Sequence, residues 1–194
     1  MNRFRVGSDL LCEMAASTQQ IRDEWLALRC QHGDPSAFAD LVREMERPLM
    51  YFVAKLIGDQ DAALDVLQEV WLKTFRTIGR LAKPQQLRPW LYQLARGLAI
   101  DRVRKDRADT RREQEHAADP TVWTDEPIFG VEEADAVHRA LDALDLKYRE
   151  VLVLHFLEEL SVSEVAVIVN CPEGTVKSRL YHAKKVLRSA LGGT

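Results

Sequence analysis

The sequence predicts an all-α protein made of two small helical domains joined by a flexible acidic linker. Apolar residues recur at three- to four-residue spacing along most of the 194 residues, and no alternating β-branched run is long enough for a strand. Over residues 108–133 that periodicity is lost, and Pro120, Pro127 and Gly130 interrupt the chain. Charge divides along the same lines. Residues 96–112 hold seven basic and three acidic side chains, and residues 173–194 hold five basic and one acidic. Between them, residues 113–136 carry eight acids and no Lys or Arg. The formal net charge of -3 conceals this, yet a polyanion such as DNA responds to local patches.

Composition narrows the function classes. Hydrophobic content of 46% with 29% charged residues suits a folded soluble chain. No apolar run reaches the ~18–20 residues of a membrane span. Asp9 and Glu13 interrupt what would be the apolar core of a signal peptide, so a cytoplasmic location without membrane insertion is expected. Cys12, Cys30 and Cys171 are far apart, which gives no disulfide framework and no CxxC metal pair. Neither a metal nor a cofactor is expected, and no nucleophile elbow, phosphate loop or HExxH motif suggests an enzyme.

Taken in order, Ile21 to Arg29 reads as a short helix ended at Gly33. Asp34 is a cap for the next helix, with Pro35 at a first position where its missing N–H costs nothing. That helix places Phe38, Leu41, Val42, Met45, Leu49, Phe52, Val53 and Leu56 on an apolar stripe. A third helix, Ala62 to Ile78, has Leu67, Val70, Trp71, Thr74, Phe75 and Ile78 at the spacing of a buried side. Asp65, Gln68, Glu69, Leu72 and Arg76 make the opposite side, and spacing alone fits equally a stray surface leucine or a docking face with an apolar anchor. Gly79 to Arg88 is a polar loop containing Arg80 and Lys83. A helix then starts at Pro89 and runs to about Arg107, basic in its last turns, with Gly97 in its middle costing roughly 1 kcal/mol relative to Ala.

The last part reads as helices over 134–144 and 146–157, with Asp145 a cap between them. A further short helix opens with the capping box Ser161-x-x-Glu164, and after "NCP" a long final helix follows. Helix, tight turn and basic second helix is the helix-turn-helix pattern. In the final helix Pro172 suits the first turn and Glu173 suits the helix dipole. Gly174 would let the helix start approach another backbone closely. Val176, Leu180, Ala183, Leu187 and Leu191 form its buried stripe.

With these pieces placed, the sequence resembles the extracytoplasmic-function (ECF) class of bacterial RNA polymerase sigma factors. "GDPSAFADLVREM", "DVLQEVWLKTF" with "PWLYQLARGLAIDRVRK", and "YREVLVLHFLEELSVSEVAVIVNCPEGTVKSRLYHAKKVLR" carry the likeness, from about Asp23 to Leu191 without the linker. The resemblance implies an N-terminal extension over 1–20, sigma domain 2 over 21–107, a linker over 108–133 and sigma domain 4 over 134–194. It implies that Asp65, Gln68, Glu69 and Leu72 bind the clamp helices of the polymerase's largest subunit, which favours the docking face, while the second domain meets the flap. Arg80, Lys83, Arg96, Arg102, Arg104 and Lys105 would meet the -10 element, the loop from Gly79 to Arg88 holding a flipped base. The final helix would enter the major groove at the -35 element with Glu173, Thr175, Lys177, Ser178, Arg179, His182, Lys185 and Arg188. Of these, Lys177 and Arg179 can donate to guanine and Glu173 can accept from cytosine. Thr175, Ser178, Lys185 and Arg188, with Lys184, suit phosphates, which position the protein without specifying sequence.

The implied partners are core RNA polymerase, promoter DNA and an anti-sigma factor masking the same surfaces, with no obligate homo-oligomer. Gly97 stands where members often carry an Asn that helps at the -10 element. No further domain is expected after the final helix. The linker's acids fit either a solvated tether or a mimic of nucleic acid in a basic channel. The competing reading is a helix-turn-helix repressor or activator that does not dock on polymerase; it leaves the Asp65–Leu72 face unused.

Overall fold

The computed structural model describes residues 5–114 and 139–190, and within them the side chains of residues 18–106, 108 and 139–189. The linker acids, the apolar linker residues Val122, Trp123, Ile128 and Phe129, the predicted helical residues 134–138, and Leu191 lie outside that set. The described residues contain helices, turns and no strand.

Helix α1 (Arg5–Gln31) is much longer than the short helix expected over Ile21 to Arg29. Its break follows expectation: Gly33 takes φ +77° and Asp34 caps α2 (Pro35–Ile57) by accepting from the backbone N–H groups of Ser36 and Ala37. The Asp34 carboxyl is held down to about 2 by the Ser36 hydroxyl and the Arg29 guanidinium. Pro48 sits inside α2 without ending it, and Gly58 closes the helix at φ 81°. Asp59 then caps α3 (Gln60–Thr77) through the Ala62 N–H.

The predicted inner side of α3 needs one correction. Leu67, Val70, Thr74 and Ile78 are buried and Trp71 is half-buried, but Phe75 is 69% exposed. Phe75 packs edge-on to Phe38 at 5.2 Å and leaves its far face to solvent. After two 3₁₀ turns, Ile78–Arg80 and Pro84–Gln86, α4 (Leu87–Gln114) starts two residues before Pro89. It continues through residues expected to begin the linker, since Pro120 is the first strong breaker after Gly97.

A helical turn at 139–142 leads to α5 (Leu146–Leu152), which widens into a π-helical segment, Val153–Leu157. Asp145 occupies the cap position of α5, but its side chain makes no cap hydrogen bond and instead lies 3.6 Å from Lys147. The capping box of α6 (Val162–Val169) is present in full: Glu164 N–H donates to Ser161 Oγ at 3.2 Å, and Ser161 N–H donates to Glu164 Oε2 at 2.8 Å. Asn170 turns the chain at φ 52°, and α7 (Glu173–Ala190) follows.

The first four helices share a core containing Leu41, Phe52, Val70, Leu91 and Tyr92, with Phe52 and Tyr92 edge to face at 5.4 Å. Helices α5 to α7 close over Val151, Leu154, Val165, Ile168 and Val176. The two parts touch, because α6 lies along α4 and α5 lies against α2.

Candidate nucleic-acid interface

Helix α7 divides as its sequence requires. Val176, Leu180 and Ala183 are buried against α5 and α6. Glu173, Lys177, Ser178, His182, Lys184, Lys185 and Arg188 are exposed, and Thr175 is half-buried. Lys177 lies 3.8 Å from Glu173 one turn earlier, so donor and acceptor are adjacent at the helix start. The Ser178 hydroxyl donates to the Thr175 carbonyl at 2.9 Å. Lys184 sits over the Phe156 ring at 4.4 Å, a contact made at the surface, where Phe156 is 45% exposed. A Cβ built at Gly174 meets no atom within 4 Å, so the close backbone approach expected there is absent from the chain itself.

Arg179 behaves differently from its neighbours. It turns toward the core and pairs with Glu150 at 3.3 Å, and Glu150 is only 2% exposed. Arg96 of α4 reaches the same carboxylate at 2.8 Å. Thus one buried acid joins a residue predicted for the -10 element to one predicted for the -35 element. Sequence spacing carries no sign of this, because the three residues come from three helices.

The other predicted -10 residues are spread along α4 and the loop before it. Arg80, Lys83, Arg104 and Lys105 are exposed. Arg102 donates to both oxygens of Asp106, at 2.9 and 3.0 Å, and lies 3.9 Å from Asp65. The loop bearing Arg80 and Lys83 is held by α1: Gln31 Nε2 donates to the Ile78 and Leu81 carbonyls at 3.2 and 2.8 Å. Arg88 anchors its other end to Asp23 and Glu44, each at 2.8 Å. Burial raises the Asp23 carboxyl despite Arg88 beside it. These α1 contacts leave no local signal in the sequence, since their partners lie tens of residues away.

On α3 the residues expected to dock, Asp65, Gln68, Glu69 and Leu72, are all exposed, Leu72 at 59%. Leu64, 45% exposed, and Phe75 extend this set. Leu64, Gln68, Leu72 and Phe75 follow at steps of four, four and three, one continuous stripe along the helix. That spacing is visible in the sequence, but Phe75 also fits the inner stripe.

A helix-turn-helix carrying an exposed basic helix, linked to a helical unit with a second basic helix, defines a DNA-binding protein of two modules. Both modules match known families: residues 41–108 match Sigma-70 region 2, and residues 134–187 match Sigma-70 region 4. Among curated proteins, the RNA polymerase sigma factor SigV of Bacillus subtilis is 30% identical over 135 residues, covering 70% of this chain and 79% of that protein. The ECF RNA polymerase sigma factor SigW of Bacillus subtilis is 29% identical over 170 residues, covering 82% and 91%. The fold matches CnrH, solved with the cytosolic domain of CnrY, at TM-score 0.66 and 21% identity over 88% of this chain and 97% of that one. It also matches the sigma factor RpoE of Bartonella quintana, solved with the anti-sigma factor NepR, at TM-score 0.66 and 24% identity over 79% and 97%. The chain belongs to the ECF family of RNA polymerase sigma factors. It is a transcription regulator whose domains bind core RNA polymerase and promoter DNA and direct promoter-specific initiation. No helix among the described residues is long and apolar enough to cross a membrane.

Proposed function

We propose that sigma domain 2, residues 21–107, docks on the clamp helices of the largest polymerase subunit through α3 and opens the -10 element with α4. The observation that carries this reading is the exposed stripe Leu64, Gln68, Leu72 and Phe75, flanked by Asp65 and Glu69. An apolar strip of this size, edged with acids, suits burial against a basic helical partner. Arg80, Lys83, Arg102, Arg104 and Lys105 meet the -10 strand and its phosphates, joined by Arg96. Domain 4, residues 134–194, contacts the flap and reads the -35 element through Glu173, Thr175, Lys177, Ser178, Arg179, His182, Lys185 and Arg188, with Arg179 the most restrained of the set. Gly97 faces solvent on α4 with room for a side chain, so nothing in the chain itself requires glycine there.

The two similar solved chains were each captured with a partner, the cytosolic domain of CnrY or the anti-sigma factor NepR. By extension, an anti-sigma factor covers the docking surfaces of this chain. The protein works in the cytoplasm, without catalytic activity of its own.

The reading is tested by pull-down and promoter binding. Leu72→Glu abolishes capture by core polymerase, while Lys177→Ala keeps capture and weakens -35 recognition by about 1–3 kcal/mol. Full core binding by Leu72→Glu contradicts it.

A further inference from the structure

We propose that the outer face of α1 is a self-association seam, on which two copies of this chain pair through parallel helices. The helix has two apolar faces. Leu26, Ala27 and Cys30 are buried against the rest of the chain, with Asp23 beside them. On the opposite face Ile21, Trp25 and Leu28 are 65%, 58% and 39% exposed. With Thr18 they follow at steps of three, four and three, the a and d positions of a heptad. The same spacing runs back through Met14 and Leu11 in the sequence of this helix. Singly scattered surface leucines need no such register. A narrow a/d stripe is the signature of a helix that pairs with another helix, and the core face of α1 is separate from it.

The charges beside the seam select its occupant. Arg22 and Arg29 lie along one edge, and Glu24 and Gln31 along the other. In a parallel pair the unlike edges meet, so Glu24 of each copy stands beside Arg29 of the other. An antiparallel pair would bring like edges together, arginine to arginine and Glu24 to Glu24. A face with both signs so placed is complementary to itself, as a two-fold interface requires. The α3 stripe differs, since Asp65 and Glu69 flank it and suit a basic partner rather than a second copy. Arg29 is already fixed at the seam: it donates to Asp34 at 2.6 Å, and its guanidinium lies over the Trp25 ring at 4.4 Å. The seam uses none of the side chains assigned to polymerase or DNA, so it stands independently of both readings. With so few exposed anchors, pairing is weak and depends on concentration, not obligate.

The test is sedimentation equilibrium of the full-length chain over a range of concentrations. The apparent mass should rise from 22.2 kDa toward twice that value as the concentration approaches about 100 µM. Ile21→Glu should hold the mass at the monomer value with an unchanged helical signal, because Ile21 lies outside the core. Glu24→Arg, which leaves the apolar seam in place, should weaken pairing about tenfold by setting like charges against Arg29. That variant serves if Ile21→Glu loses helix. Orientation is read by cross-linking with oxidised glutathione. Ile21→Cys, on the seam, should form an interchain disulfide far faster than Gln20→Cys, which is exposed but off the seam. The parent chain, with Cys12, Cys30 and Cys171, supplies the background. A mass of 22.2 kDa at every concentration overturns the proposal, whether the chain's own linker or another protein then covers the seam. Pairing that survives Ile21→Glu, or equal cross-linking at positions 20 and 21, overturns it as well.

Discussion

At the scale of single residues, exposure and bonding sort the predicted site into groups with different expected behaviour. Leu72 is 59% exposed and contributes little to the core, so Leu72→Glu should leave the unfolding free energy within about 0.5 kcal/mol of the wild type. The same change should remove core polymerase capture, which a pull-down beside a urea titration would read. Gly97 is exposed mid-helix, and a methyl group placed on its Cα would meet no other atom within 4 Å. Gly97→Ala should therefore stabilise the protein by about 1 kcal/mol in chemical denaturation. Asp34 gives a pH signature. Its folded value is depressed to about 2, below the ordinary 3.8, so its contribution is present above the ordinary value and fades as pH falls toward 2. Asp34→Asn, which keeps an acceptor without the charge, should flatten that part of the stability–pH curve. An unchanged slope would show that the Arg29 and Ser36 contacts do not act through the carboxylate.

At the scale of elements, the caps at Asp34 and Ser161 are kept as the sequence reads them, while Asp145 sits at a cap position without a cap hydrogen bond. Asp34, Pro35 and the Ser161–Glu164 box act within four residues of chain, so their chemistry is complete in the sequence. Ser161→Ala should cost about 1 kcal/mol of unfolding free energy. The α7 stripe is equally legible because burial and charge alternate at helical spacing. Phe75 fits an inward position by the same spacing, yet it is exposed beside a partner from elsewhere in the chain, Phe38. The Arg96–Glu150–Arg179 cluster and the Gln31 bonds to the 78–81 turn are invisible locally, since they join residues 29 to 54 apart. Gln31→Ala should loosen the turn that carries Arg80 and slow promoter opening, while core binding measured by pull-down stays normal. Equal opening rates would reduce Gln31 to a helix-packing residue.

At the scale of the whole molecule, the all-α class and the two-module arrangement follow from periodicity and from the division of charge. The way the modules face each other does not. Packing between α4 and α6 depends on surfaces that each helix could as well leave in water, and only tertiary contact selects one. What unites the molecule is the combination of an uncovered apolar stripe on α3 with two basic helices, α4 and α7, most of whose basic side chains face solvent. The most direct test of the central claim is run-off transcription with purified core polymerase, this chain and promoter DNA selected by sequencing holoenzyme-bound fragments. Discrete transcripts from the selected promoters, lost with Leu72→Glu and reduced with Lys177→Ala, are the predicted result. Failure of the chain to bind core polymerase, or transcripts unaffected by Leu72→Glu, would contradict it.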